Sequence, residues 1–156
     1  MNEKNMADII TFGQNLAFIQ SKRDMNYCSF ALSINYSRNN LSRLESGLKD
    51  INLSSAVQIA NALDIDVAML FSRSYRDDKE GCRQKGFIPG DYAKIFRENV
   101  LNIMDKNGIK QVQLCETNHE PISRLLSGHI NNPRVSSLSS IASKINVSLS
   151  ELLTHH

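Results

Sequence analysis

A chain of 156 residues, 41% hydrophobic and 22% charged, has the composition of a folded globular protein and the length of one ordinary domain or two small ones. A net charge of +2 argues against any function that rests on a large basic surface. The longest apolar run, VAMLF at 67–71, falls far short of the roughly 20 residues of a membrane span. The opening MNEKNMADII lacks the pattern of a secretory signal, so a cytoplasmic protein with no membrane partner is expected.

Residues 7–22 place Ile9, Phe12, Leu16 and Ile19 at helical spacing. A turn over 23–26 follows, then a short helix to about Ile34. Ser37 suits the N-cap of a third helix running to Glu45, because its hydroxyl can accept from a free amide of the first turn. Gly47 suits the stop, because glycine takes the left-handed turn at no steric cost. A fourth helix over about 53–62 sets Leu53, Val57, Ala60 and Leu63 to one side. Asp66 can cap a last short helix carrying Val67, Leu70 and Phe71. Helices this short do not stand alone, so the five must pack as one bundle. No alternation of strand type occurs anywhere, and the expected fold class is all-α.

The segment 73–90, RSYRDDKEGCRQKGFIPG, reads as a linker by its charge, glycines and Pro89-Gly90. Structureless loops of this length are uncommon, and the fifth helix is expected to continue as far as Lys79 before Gly81 breaks it. By charge the segment is the most basic part of the chain: residues 1–72 carry −1, residues 73–90 carry +2 and residues 91–156 carry +1.

Beyond the linker the first pattern returns. Phe12, Leu16 and Ile19 recur as Phe96, Val100 and Ile103 at an offset of 84, which also carries Met25 onto Ile109 and Phe30-Ala31 onto Leu114-Cys115. Leu41, Ser42, Arg43 and Leu44 recur as Ile122, Ser123, Arg124 and Leu125 at an offset of 81. Past the glycines the offset is 82, taking Ile59-Ala60 onto Ile141-Ala142 and Leu70 onto Leu152. Residues 1–72 and 91–156 are therefore one fold written twice, the second copy shortened by three residues before its third helix.

Cys28, Cys82 and Cys115 are odd in number and widely spaced, and His119, His129, His155 and His156 form no ligand set. Neither a disulfide framework nor a metal site is expected. Asp77, Asp78, Glu80 and Cys82 lack the partners that catalysis needs, so an enzyme, a cofactor or a small-molecule ligand is not expected either.

The stretch FALSINYSRNNLSRLESG (30–47) resembles the helix-turn-helix of the phage-repressor family, the Cro and XRE-like proteins. Phe30-Ala31 stand at the family's Leu-Ala position, and Ser37, Leu41, Ser42, Glu45 and Gly47 match directly. Asn35 replaces the turn glycine, which asparagine can do because it tolerates the left-handed conformation. The ending IANALDIDVAMLF (59–71) fits as well. The resemblance covers both copies and implies two tandem five-helix bundles.

It also implies that the third helix lies in the major groove of double-stranded DNA, with Arg38, Asn39 and Arg43 against base edges. The residue types suit that role, since Arg can hold guanine O6 and N7 together and Asn can do the same for adenine N6 and N7. Phosphate contacts would come from Asn26, Tyr27 and Ser29 at the second helix and from Asn40, Ser46 and Lys49 around the third. Leu48 stands where the family often has a cation. The family's pairing of the Glu45 acid with a polar group on the first helix points to Gln20.

The second copy departs from the family. His119, Glu120 and Arg124 replace Arg38, Asn39 and Arg43, and a carboxylate at 120 is repelled by phosphates, although it can accept from cytosine N4. Met104 and Leu126 replace the polar pair, which implies a buried contact within the bundle or with a partner. The resemblance implies a sequence-specific transcription regulator, most simply a repressor. A homodimer with the first unit as principal reader is preferred over a single chain that mimics the dimer. An antitoxin-like adaptor, whose second unit binds a partner protein, is the alternative.

Overall fold

The helix boundaries follow the capping chemistry. A computed structural model of the protein describes residues 3–72, 92–110 and 133–154, with side chains from residue 7 onward. Its helices are α1 (Glu3–Lys22), α2 (Tyr27–Ser33), α3 (Arg38–Glu45), α4 (Leu53–Ala62), α5 (Val67–Leu70), α6 (Tyr92–Asn107), α7 (Val135–Lys144) and α8 (Leu149–Leu152). Among the described residues every regular element is helical, as an all-α chain requires, and no helix is long and apolar enough to cross a membrane.

Asn26 Oδ1 accepts from the Ser29 amide at 2.8 Å, Ser37 Oγ from Asn40 at 3.2 Å and Asp66 Oδ1 from Ala68 at 3.0 Å. Each relieves a first-turn amide with no partner inside its helix. Asn35 (φ +61°) and Gly47 (φ +75°) take the left-handed turns that their residue types permit.

Two boundaries differ from the sequence reading. α1 begins at Glu3 and not near residue 7, and α5 does not run on to Lys79. It is capped at Phe71, and Ser72 is already outside it. The buried Asn15 amide donates to Leu70 O at 2.7 Å and Ser72 O at 3.0 Å. A continuing helix would need the first of those carbonyls for an amide four residues on, so the asparagine side chain takes the place of the next turn.

Phe12, Leu16 and Ile19 from α1 meet Phe30 and Ala31 from α2, Leu41 and Leu44 from α3 and Ile59 from α4 in a dry core, and Phe12 stacks on Phe71 at 5.0 Å. Buried side chains of this size stabilise a fold by about 1.5–3 kcal/mol each, which is what holds short helices in place. The second half repeats these devices. Asn99, which lies 84 residues after Asn15, donates to Leu152 O at 2.8 Å and Thr154 O at 2.9 Å. Those carbonyls lie 82 residues after Leu70 and Ser72. The left-handed turns at Asp24 and Asp64 return at Gly108 and Asn146 by the same two offsets. Met104 is buried in this shared core. Leu126 lies outside the described residues.

The two halves are packed together. α1 lies against α7, α5 against α8 and α4 against α6, each pair joining one half to the other. Between α3 and α4 the backbone makes an isolated antiparallel bridge, Asn52 to Arg134, in which Leu53 N donates to Pro133 O and Val135 N to Ile51 O, both at 2.8 Å. At the offset of 82, residues 51, 52 and 53 correspond to 133, 134 and 135. Each hydrogen bond is therefore the other's counterpart, and equivalent positions face each other only across a two-fold axis.

Candidate nucleic-acid interface

The helical period decides which side of α3 reaches solvent. Leu41 and Leu44 are sealed in the core, which turns Arg38, Asn39, Ser42 and Arg43 outward, all four exposed. Arg38 and Ser42 are one turn apart, as are Asn39 and Arg43, so the four form a compact polar face. Ser42 was not assigned a role from the sequence. Its place one turn after Arg38, with Leu41 and Leu44 committed to the core, was the available signal.

The cations of this half divide sharply. Arg23 donates to Leu63 O at 2.6 Å, Lys22 lies 5.5 Å over the Phe18 ring, and Lys49 lies 5.5 Å over the Tyr36 ring. Arg38 and Arg43 make no ion pair and no side-chain hydrogen bond among the described residues. Their guanidinium donors face water at the lip of the helix.

Around them, Asn26 and Ser29 are exposed at the start of α2, with the Asn26 oxygen committed to its cap and its amide group left as a donor. Asn40 is half-buried, and Ser46 Oγ donates back to Arg43 O at 3.1 Å. Lys49 and Leu48 lie just past Gly47, and Leu48 is 67% exposed. Tyr27 is half-buried, with its hydroxyl facing Ser42 and Glu45. Burial pushes the Tyr27 phenol up, and the Glu45 charge adds to the effect while the Ser42 hydroxyl and the Arg38 charge oppose it. Burial also pushes the Glu45 carboxyl up, opposed by the Tyr27 hydroxyl.

The side chain facing the Glu45 carboxyl is thus Tyr27 of α2, while the Gln20 amide donates to Met25 O at 3.5 Å. What α1 supplies at this point is the absence of a side chain. A Cβ on Gly13 would sit 2.0 Å from Leu44 O and 3.0 Å from Glu45 Cα, so the glycine alone lets α3 lie this close to α1. A lone glycine inside an apolar helical pattern, in TFGQN, was the signal for it.

The second-copy candidates His119, Glu120 and Arg124 lie outside the described residues, as do Asp77, Asp78, Glu80, Cys82 and Cys115. Cys28 is an exposed free thiol beside Tyr27. The chain matches no family model, no curated protein and no solved structure. The likeness to phage repressors therefore stands on its own residues.

Proposed function

We propose that the protein is a sequence-specific DNA-binding transcription regulator, built as two tandem helix-turn-helix bundles and acting as a repressor by occupying its site. One observation carries the reading. In a half whose other described cations are engaged by carbonyls and rings, Arg38 and Arg43 stand exposed with their donors unspent, on the face of the helix that the repressor family lays in the major groove. Asn39 and Ser42 complete that face. Guanidinium groups in this state lose little internal bonding on meeting a guanine edge, and each well-made bidentate contact is worth about 1–3 kcal/mol of base discrimination.

The near-neutral charge fits a protein that grips phosphate through amides, hydroxyls and a few cations. Asn26, Ser29, Asn40, Ser46 and Lys49 are the side chains for that grip, and Tyr27 positions α2 against α3. Leu48 offers no charge where a cation would add one.

Mobility shift on a duplex isolated from a random-sequence pool tests the reading. The wild-type chain is expected to prefer that duplex over others and to weaken steeply as salt rises, because phosphate contacts release counterions. Arg38→Ala and Arg43→Ala are each expected to weaken binding about tenfold or more, with the preference relaxed at the base pairs they read. A wild-type chain that selects no duplex overturns the proposal.

A further inference from the structure

We infer that the contact between the two halves is a self-pairing interface turned inward and specialised for unlike partners, so that a single chain, and not a homodimer, occupies each DNA site. The stoichiometric part rests on the DNA-binding reading; the pairing part does not.

The residues at the axis carry the inference. Three sets of repeat-equivalent positions meet one another: Ile51 and Leu53 with Pro133 and Val135, Asn52 with Arg134, and Ala68 with Ser150, whose hydroxyl donates to Ala68 O at 2.6 Å. That is the signature of an isologous two-fold interface between copies of one unit. Here both copies are present in one chain, and the surface is already covered.

The side chains across the axis are not symmetric, and their differences discriminate. Tyr92 OH donates to Asp66 Oδ1 at 2.9 Å, joining the start of α6 to the cap of α5. Ser139 Oγ donates to Asp8 Oδ2 at 2.6 Å, joining α7 to α1. Asp50 accepts from Ser136 N at 3.2 Å and from Ser136 Oγ at 2.5 Å, with Arg134 at 4.0 Å.

Now replace each partner by its repeat equivalent, as pairing between two first halves would. Tyr92 becomes Asp8, so Asp8 of one copy would face Asp66 of the other, two carboxylates in place of a hydrogen bond. Ser139 becomes Val57, which leaves Asp8 with an apolar neighbour. Arg134 becomes Asn52, and Asp50 loses its cation. Two first halves would therefore fit each other worse than the first half fits the second. Like charges set against the wrong pairing are a recognised source of specificity. The homodimer preferred from the sequence would have to form through some other surface.

The test has two arms on the full chain. Sedimentation velocity is expected to give one chain in free solution and one chain on a duplex isolated from a random-sequence pool. A free dimer, or two chains on that duplex, overturns the inference and leaves DNA binding intact. Failure to select any duplex defeats the DNA reading instead, and the pairing is then decided by the second arm.

That arm sets Tyr92→Asp beside Tyr92→Phe in equilibrium unfolding. The aspartate recreates the acid pair of the disfavoured assembly and is expected to raise the unfolding constant at least tenfold over the phenylalanine variant. Adding Asp66→Ser, the residue that caps α8 as Ser148, is expected to recover most of that loss. Equal effects of Tyr92→Asp and Tyr92→Phe, or no recovery with Asp66→Ser, overturn the pairing.

Discussion

The first and second halves solve one problem alike and another differently. Both close the end of the fold with an asparagine from their first helix, Asn15 on the carbonyls of Leu70 and Ser72, and Asn99 on those of Leu152 and Thr154. They differ two residues away. Where the first half has Gly13, with α3 against its backbone, the second has Arg97 at the offset of 84. The closing device was kept because the carbonyls it satisfies exist in any copy. At Arg97 a long side chain stands where the first half has none. The half with the intimate α1–α3 contact is also the half in which α3 turns Arg38, Asn39, Ser42 and Arg43 to solvent.

The strongest way to break this comparison is to give the first half a side chain at that point. Gly13→Ala is expected to cost about 3 kcal/mol or more, because the atoms it meets are backbone and α3 must move. DNA affinity should fall with it, since α3 carries Arg38, Asn39 and Arg43. Arg97→Gly should cost only about 1 kcal/mol, the price of glycine in a helix. Equal losses in thermal unfolding would show that the two first helices are held in the same way.

The asparagines sharpen it next. Asn15 is fully buried and Asn99 is only half-buried, so water can replace the second but not the first. Asn15→Leu is expected to destabilise by about 3 kcal/mol and Asn99→Leu by about 1 kcal/mol, measured by denaturant unfolding. The order should not reverse.

The smallest effect concerns Glu45, whose equivalent in the second copy is Leu126. Burial raises the folded pKa of this carboxyl above its ordinary 4.5, so the native state binds its proton more tightly than the unfolded chain does. Its penalty is absent below the unfolded value, grows as pH rises through the folded value, and persists above it. Glu45→Gln should therefore raise the unfolding midpoint slightly at pH 7 and less at pH 4. A larger gain at the lower pH would contradict this sign.

Much of the local structure was legible beforehand, for identifiable reasons. Ser37, Asp66, Asn35 and Gly47 act through neighbours within a few residues, so their identity alone announces a cap or a left-handed turn. The outward face of α3 followed from the helical period and two leucines. What packs on Gly13, the Tyr27–Glu45 contact and the truncation of α5 were not legible. Each depends on a group brought from elsewhere in the chain, and Asn15 reaches over 55 residues to Leu70. The Gln20 amide is spent on Met25 O, and Tyr27, which faces the Glu45 carboxyl, lies on another helix.

By itself, then, the sequence determined an all-helical chain written twice, its caps, its left-handed turns and the polar face beginning at Arg38. Those properties are set by spacing and by residue type over single turns. Tertiary structure alone decided that the halves clasp each other about a local two-fold, with Leu53 bonded to Pro133 and Tyr92 to Asp66. Such contacts join surfaces whose complementarity exists only once both have folded, and no periodicity along the chain records it.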